Sequence, residues 1–322
     1  MDKKDLRIVF FGTPEFAVES LRRLVEGGYN IVGVVTMPDK PAGRGHHMLQ
    51  SDVKKYALEQ GLHLMQPVRL KDEAFVEELR ALRADLQIII AFRMLPEVVW
   101  SMPRLGTFNL HASLLPKYRG AAPINWAVMN GDDRTGVTTF FLKQEIDTGD
   151  IIQQRDIEIG RHDNVGIVHD RLMLLGADMV METVEAILAG TVHPIPQDQL
   201  LTAGQQATPA PKIFKDTCRI AWSTPAEQVY NHIRGLSPYP AAWTTLADEA
   251  GNEWSLKIFE TGEPCNFPGQ VGDVMVDGGR LLVHCGDGAL EIKSLQVAGK
   301  KRMSSEDFLR GLHFKGRLRV DI

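Results

Sequence analysis

The chain has 322 residues, more than one hydrophobic core usually serves, so we expect two domains. Hydrophobic residues make up 44% of the sequence and charged residues 24%, which argues against disorder, and the net charge of −5 gives no general sign of a nucleic-acid binder. The three cysteines lack the spacing of metal ligands, and no apolar stretch has the length of a signal-peptide core or a membrane span, so we expect a reduced cytoplasmic enzyme.

Strand-like apolar runs alternate with helical patterns in the first part of the chain. Thr13 is expected to cap the first helix, with Pro14 at its first position and Glu15 complementing the helix dipole. The apolar run over residues 86–90 indicates a strand buried on both faces, which is typical of parallel sheets. Residues 1–190 are therefore predicted to form an α/β, Rossmann-like domain with a mostly parallel sheet. Its predicted strands are 8–11, 31–35, 86–92, 108–112 and 137–142, and its later helices lie near 51–60, 72–83, 123–130 and 164–189.

Pro, Gln, Thr, Gly and Ala dominate residues 191–208, and this composition predicts a linker. One helical pattern near 225–233 follows, and short strand candidates separated by Gly and Asp turns then recur. Together they predict a smaller, OB-like β-barrel domain over residues 209–322. The predicted strands are 241–246, 255–259, 272–276, 281–284 and 289–297.

Charge is unevenly distributed in this second domain. The domain contains fourteen basic and fourteen acidic residues, but residues 293–319 carry eight basic side chains and two acidic ones. We expect these basic groups to form one strip, which is as compatible with ordinary solvation as with phosphate binding. They are Lys293, Lys300, Lys301, Arg302, Arg310, Lys315, Arg317 and Arg319.

A polar cluster ends the predicted strand 108–112. Side chains alternate along a strand, so Asn109 and His111 lie on one face, and open α/β sheets bind their ligands beyond such strand ends. A lone His or Asn in a strand is usually structural, but the Pro- and Gly-rich segment that follows suits a pocket wall. By contrast, residues 11–16 contain one glycine where a dinucleotide-binding turn needs three.

Asp147 lies near a glycine in a later turn, which taken alone is typical of an Asx turn. With Asn109 and His111 it completes the set that acyl transfer to an amine requires. Attack of an amine on a formyl carbon creates an oxyanion, which Asn109 and a protonated His111 can stabilise. Asp147 can accept the amine proton directly or through water, and no enzyme nucleophile is needed.

The same residues belong to an ordered set of segments that extends almost from end to end. In chain order the set comprises 11–17, 38–45, Asn109-x-His111, 113–116 with 119–124, 147–150, 211–213, and 299–303 with 307–311. In this order the segments resemble the 10-formyltetrahydrofolate-dependent formyltransferases, and among them the members whose acceptor is an aminoacyl-tRNA. One departure is Ala91-Phe92-Arg93, where relatives usually carry a small-residue segment. Phe92 and Arg93 can narrow or re-charge the pocket mouth.

The resemblance implies transfer of the formyl group of 10-formyltetrahydrofolate to the α-amino group of initiator methionyl-tRNA, with no metal and no membrane. It also implies that Asn109, His111 and Asp147 are catalytic, and we expect a monomer. The folate is expected to lie against Ser113, Leu114, Leu115, Pro116, Ile90, Ala91 and Phe92. The tRNA is expected to contact Lys40, Arg44, Lys300, Lys301 and Arg302, with the loop around Arg44 inserting at the acceptor end.

Two other functions remain open. A sibling formyltransferase acting on a small amine, such as glycinamide ribonucleotide or an amino sugar, or the hydrolase part of a folate dehydrogenase, shares the same catalytic set. A nucleotide-binding module without catalysis leaves that set unexplained. The basic loop 40–47, the barrel and its basic end favour tRNA as the acceptor. We also expect a cis bond between Leu115 and Pro116, since the chain turns sharply after the strand.

Overall fold

The computed structural model describes residues 2–42, 47–201 and 207–322. The chain forms two compact units. We call them the sheet unit (Met1–Gly120, Gly136–Ile157 and His169–Pro209) and the barrel unit (Ala121–Thr135, Glu158–Val168 and Ala210–Ile322). Two segments of the barrel unit thus come from the part of the chain before the predicted linker. The domain limits drawn from the sequence, 1–190 and 209–322 around a linker at 191–208, stay a prediction.

Strands and helices alternate through most of the first part of the chain, whereas strands dominate the last part. Residues 7–189 contain β1 (Arg7–Gly12), α1 (Glu15–Glu26), β2 (Asn30–Val35), β3 (Lys40–Ala42), β4 (His47–Leu49), α2 (Asp52–Glu59), β5 (Leu64–Met65), α3 (Glu73–Ala81), β6 (Leu86–Ile90), α4 (Glu97–Trp100), β7 (Thr107–His111), β8 (Arg119–Gly120), α5 (Pro123–Met129), β9 (Arg134–Phe141), β10 (Ile151–Glu158) and α6 (Val165–Ala189). Residues 197–320 contain a 3-10 helix (Gln197–Leu200), β11 (Pro209–Ala210), a second 3-10 helix (Asp216–Cys218), α7 (Ala226–Leu236), β12 (Ala242–Asp248), β13 (Glu253–Thr261), β14 (Asp273–Asp277), β15 (Arg280–His284), β16 (Ala289–Val297), β17 (Met303–Ser304), α8 (Ser305–Gly311) and β18 (Leu318–Val320).

Seven strands form the sheet of the sheet unit, in the order β10-β9-β7-β6-β1-β2-β5. β1 pairs in parallel with β2 and β6, β2 with β5 and β6 with β7, whereas β7 and β9 are antiparallel. The predicted α/β class with a mostly parallel sheet is therefore confirmed. β6 is buried along its whole length, as its apolar run predicted.

Helices lie on both faces of this sheet. On one face, Val9, Phe11 and Ile89 belong to an apolar cluster that includes buried residues of α3 and α4. On the other face, α6 packs closely against β7. Gly176 of α6 lies so near Leu110 of β7 that a Cβ at position 176 would be 2.7 Å from a δ carbon of Leu110. With both faces covered, the strand ends are where a polar ligand can reach the sheet.

The start of α1 differs from the prediction. The helix begins at Glu15, with Pro14 in extended conformation at the N-cap and no side-chain cap. The hydroxyl of Thr13 is buried and has no hydrogen-bond partner within the described ranges. The predicted cap is therefore wrong by one position: Pro14 occupies the capping place, which leaves Thr13 one residue outside the helix.

The barrel unit contains a closed barrel of six strands. Its order is β13-β12-β18-β14-β15-β16, and a further pairing of β13 with β16 closes the ring. The barrel core includes Trp222, whose indole N–H donates to the hydroxyl of Thr244 at 2.9 Å. The earlier segments of this unit are bound to α7, where Asn125 donates to the Gly235 carbonyl at 2.9 Å and Arg234 to the Asp163 carbonyl at 3.0 Å. The predicted smaller β-barrel domain is confirmed.

Several short elements have no counterpart in the sequence-based prediction, namely the β3–β4 hairpin, α4, α8 and β18. Each spans only three to seven residues, too few for a periodic pattern to stand out. None of the helices in the described part of the chain is both long and apolar enough to cross a bilayer.

Trp222 is 0% exposed in the barrel core, so we expect Trp222→Ala to lower the free energy of unfolding of the barrel unit by about 3–5 kcal/mol. The loss combines a large cavity with the lost hydrogen bond from the indole to the Thr244 hydroxyl, which keeps its bond to the Asp321 carboxylate. Urea denaturation followed by circular dichroism measures the change. Phe214→Ala is the control, because Phe214 is 63% exposed. Equal midpoints for the two variants would contradict the assigned core.

Candidate active site

The end of β7 carries the first two predicted catalytic residues. Asn109 pairs with Ile89 on β6 and Phe140 on β9, and His111 pairs with Thr138 on β9. Asn109 and His111 are two residues apart, so both side chains lie on one face of the sheet. The amide oxygen of Asn109 is buried and has no hydrogen-bond partner within the described ranges. Such a group is costly unless a ligand completes its bonding.

The imidazole of His111 is held from one side and faces a carboxylate on the other. Its ring is 7% exposed, and Nε2 lies 2.8 Å from the carbonyl oxygen of Tyr118. A carbonyl only accepts, so Nε2 carries a proton. Nδ1 then points toward the carboxylate of Asp147, with 3.8 Å between Nδ1 and Oδ2. This distance is too long for a hydrogen bond, but it places the carboxylate directly beside the ring.

Asp147 is fixed by its own backbone and by strand β8. Its φ of 53° lies in the left-handed region, which non-glycine residues adopt rarely. The backbone N–H of Gly120 donates to Oδ2 of Asp147 at 2.9 Å. Two residues later, a Cβ on Gly149 would overlap the carbonyl oxygen of Phe141, so only glycine fits there. The turn thus brings the carboxylate of Asp147 to His111, with which the sequence analysis grouped it.

The predicted folate wall, residues 113–116, is fixed by polar side chains of the next two strands. The hydroxyl of Thr138 donates to the Ser113 carbonyl at 2.6 Å and accepts from the Leu115 N–H at 3.2 Å. The amide of Gln154 donates to the Leu115 carbonyl at 2.7 Å and to the Thr138 hydroxyl at 2.9 Å. The Leu115–Pro116 bond is cis, as expected. Thr138 and Gln154 carry no signal of this role in the sequence, because only the strand register shows what they contact.

The segment after β6 also reaches the end of the sheet. Ala91 has a φ of 47°, and Phe92 packs edge-on against Phe11 with ring centroids 5.7 Å apart. Arg93 donates to the carbonyls of Pro67 and Val68, and burial lowers the pKa of its guanidinium. Arg93 therefore holds the loop at residues 67–68, and Phe92 contributes to the apolar cluster beneath the strand end.

The basic residues predicted as one strip are separated by the closure of the barrel. β16 and β18 are separated by two strands whichever way the ring is followed, so they lie on opposite sides of it. The prediction of a single strip is therefore wrong, because neighbouring charges in the chain are placed on opposite strands. Lys300, Lys301 and Arg302 follow β16, whereas Arg319 lies on β18.

Two lysines from other parts of the barrel unit join the first group. Lys257 on β13 stands between Trp243 on β12 and Gln296 on β16, and the ammonium of Lys215 lies 5.6 Å from the Trp243 ring centroid. We call Lys215, Lys257, Lys300, Lys301 and Arg302 the basic face.

Aromatic rings lie among these charges. The guanidinium of Arg302 lies 4.5 Å from the ring centroid of Phe259, two residues along β13 from Lys257. Gln296 donates to the Lys300 carbonyl at 2.7 Å, which ties the turn after β16 to this side of the barrel. Cationic and aromatic groups on one barrel surface are typical of single-stranded nucleic-acid sites.

One of the other two predicted tRNA contacts, Lys40, begins β3. Lys40 pairs with Leu49 across the β3–β4 hairpin and is exposed. Arg44 lies outside the described residues.

Comparison with known proteins supports the same interpretation of the two units. The sequence matches the family model described as "Formyl transferase" over residues 6–184 and the model described as "Formyl transferase, C-terminal domain" over residues 212–313. A protein of Bacteroides thetaiotaomicron named methionyl-tRNA formyltransferase is 61% identical over 315 residues, which cover 97% of each chain.

Solved structures share the fold. An N-formyltransferase from Helicobacter canadensis, in complex with folinic acid and dTDP-3-aminofucose, matches with a TM-score of 0.66 at 17% identity and covers 91% of this chain and 99% of that one. HypX from Aquifex aeolicus, in complex with tetrahydrofolic acid, matches with a TM-score of 0.62 at 20% identity over 96% of this chain, which spans about half (48%) of HypX. At such identities the likeness shows the fold alone. The model match over residues 6–184 and the 61% identity go further, and on them the chain belongs to the formyl transferase family.

Proposed function

We propose that this chain transfers the formyl group of 10-formyltetrahydrofolate to the α-amino group of initiator methionyl-tRNA, giving N-formylmethionyl-tRNA and tetrahydrofolate. The observation that carries the proposal is the approach of the Asp147 carboxylate to within 3.8 Å of His111 Nδ1, beside the unpartnered amide oxygen of Asn109 in the described part of the chain. The acceptor is taken from the relative that is 61% identical and named methionyl-tRNA formyltransferase. We further propose that the enzyme acts in the cytoplasm as a monomer.

The folate co-substrate supplies an activated formyl group, and side chains of this protein stabilise the developing charge and accept the proton. As the amine nitrogen bonds to the formyl carbon, Asn109 and protonated His111 donate hydrogen bonds to the formyl oxygen, where negative charge develops. Asp147 accepts the proton that the amine loses, directly or through water. The bond between the formyl carbon and N10 of the folate then breaks, and N10 keeps the electron pair and takes a proton.

The folate is proposed to lie against Ser113, Leu114, Leu115 and Pro116 on one side and the backbone of Ile90, Ala91 and Phe92 on the other. Support comes from the rigidity of this wall, since Thr138 and Gln154 hold its backbone by three hydrogen bonds and are bonded to each other by a fourth. A fixed wall binds a planar ligand without losing conformational freedom of its own.

The tRNA is proposed to contact the basic face of the barrel unit and, at its acceptor end, Lys40 and Arg44. Lys300, Lys301 and Arg302 lie on that face with Lys215 and Lys257. Contacts from lysine and arginine to phosphates position a nucleic acid without identifying its sequence. The basic face is therefore proposed to bind tRNAs in general.

The acceptor is tested by offering methionyl-tRNA and a small amine, such as an amino sugar nucleotide, in parallel formyl-transfer assays. We expect formylation of methionyl-tRNA with 10-formyltetrahydrofolate as donor, and none of the small amine. Preference for the small amine would assign the chain to a sibling activity, and no folate-dependent turnover on either acceptor would overturn formyl transfer itself.

We expect His111→Ala and Asp147→Asn each to lower kcat by about a hundred- to a thousandfold, because each removes a group that acts only as charge develops. Folate binding, measured by calorimetry, and the circular dichroism spectrum are expected to stay close to wild type. His63→Ala, on an exposed histidine beside Glu78, is the control. A kcat within a few-fold of wild type in either catalytic variant would rule out this mechanism.

Replacing Lys300, Lys301 and Arg302 together by Ala is expected to weaken binding of initiator and elongator methionyl-tRNA alike. Each lost phosphate contact lowers the slope of log affinity against log salt by roughly 0.7–0.9, so the slope flattens by about 2 to 3. Binding titrations at several salt concentrations measure it.

The control for this experiment carries the same charge change on the opposite side of the barrel. Lys315, Arg317 and Arg319 are exposed and lie on or next to β18. Their replacement by Ala is expected to leave the slope unchanged. If both triple variants flatten it equally, or if only one tRNA is affected by the first, the basic face is not the docking surface.

A further inference from the structure

We propose that Gln197 is a positioning residue for Asp147, and this inference rests on the proposed function of Asp147. Gln197 opens the 3-10 helix that follows α6, and its side chain is 3% exposed. It lies 50 residues from Asp147 along the chain, in the segment that the sequence analysis treated as linker. A buried glutamine in such a segment is unusual, because amides are rarely buried without a specific set of partners.

All the polar capacity of the Gln197 amide is used. Nε2 donates to the carbonyl of Asp147 at 2.8 Å and to the carbonyl of Gly149 at 2.9 Å. Oε1 accepts from Arg119, with Nε at 3.1 Å and Nη2 at 2.7 Å. A neutral amide has two N–H donors and one oxygen with two lone pairs, so all four hydrogen-bonding positions are filled. Among the natural side chains, only glutamine offers two N–H donors and an acceptor oxygen at the end of a chain of this length.

These hydrogen bonds hold both the turn that carries Asp147 and the segment that donates a hydrogen bond to its carboxylate. The carbonyls of residues 147 and 149 flank Thr148, so the amide clamps the turn in which Asp147 holds a φ of 53°. Arg119 precedes Gly120, whose N–H donates to the Asp147 carboxylate at 2.9 Å. One side chain thus fixes both the backbone that carries the carboxylate and the segment that carries its hydrogen-bond donor.

The hydrogen-bonding groups of Gln197 are all engaged by Asp147, Gly149 and Arg119, so it does not take part in proton transfer. Its effect on the reaction passes through the direction of the Asp147 carboxylate. Misplacing a reacting group by about 1 Å can cost about a hundredfold in rate. A merely structural role would instead lower stability and weaken substrate binding together.

The test is a double-mutant cycle in the full chain, with Gln197→Leu and Asp147→Asn made singly and together. We expect Gln197→Leu to lower kcat by roughly ten- to a hundredfold, with the KM for folate and for methionyl-tRNA changing less than about threefold. In the Asp147→Asn background the same substitution is expected to change kcat by less than about twofold, because the group it positions is already disabled.

Two further variants keep the test decisive. Gln197→Glu preserves the size of the side chain and the acceptor for Arg119, but it places an oxygen against the carbonyls of Asp147 and Gly149. We expect its kcat to fall as much as that of Gln197→Leu. This variant keeps the proposal testable where Gln197→Leu fails to fold. Gln199→Leu, on the exposed side of the same 3-10 helix, is the control and is expected to match wild type.

Unchanged kcat in Gln197→Glu, or an equal loss of kcat from Gln197→Leu in both backgrounds, would overturn the positioning role. Wild-type inactivity on methionyl-tRNA would instead count against the proposed function, so the two failures are distinguishable.

Discussion

The hydrogen bond from the Gly120 N–H to the Asp147 carboxylate, 2.9 Å long, joins β8 to the turn at residue 147, and the candidate site depends on both. Residue 147 has a φ of 53°, which a non-glycine residue keeps only where its surroundings hold it. The bond aims the carboxylate at His111, and the carbonyl of Tyr118 holds the imidazole from its other side. Groups that are fixed from outside need little rearrangement when charge develops between them, and this is the usual source of catalytic electrostatics.

The sheet explains why this chemistry sits at one strand end. Its central strands are covered by helices on both faces, so polar side chains within them are confined to positions where a partner is available. β7 meets that condition where the parallel and antiparallel parts of the sheet join, between β6 and β9. There Thr138 on β9 lies opposite His111 and bonds the wall at residues 113–116. The same strand pair thus carries the imidazole and fixes the pocket backbone beside it.

Closure of the barrel has a comparable effect on charge. A run of basic residues that is continuous in the chain is divided between opposite sides of the ring, and lysines from β13 and the segment before α7 join one of the two groups. The outward alternation of β12 and β13 places Trp243 and Lys257 next to each other on this side. The result is a surface with both cations and aromatic rings, a combination that suits a nucleic-acid backbone better than charge alone. Residues 209–322 are neutral overall, so binding there depends on the placement of the charges rather than their number.

Local patterns along the chain were enough to predict the class of both folds and the residue types at the end of β7. The alternation of apolar and polar residues, the apolar runs and the turn residues can each be recognised from a few consecutive positions. The period of a strand also brought Asn109 and His111 to one face. Which distant residues meet follows from the three-dimensional packing alone. Strand order and register set Thr138 against the pocket wall, loop packing brought Gln197 to Asp147, and ring closure divided the basic groups. Even β18, which completes the ring, spans only Leu318–Val320 and is recognisable as a strand only by its pairing with β12 and β14. Such contacts depend on free energies summed over the whole fold, and a local pattern does not contain them.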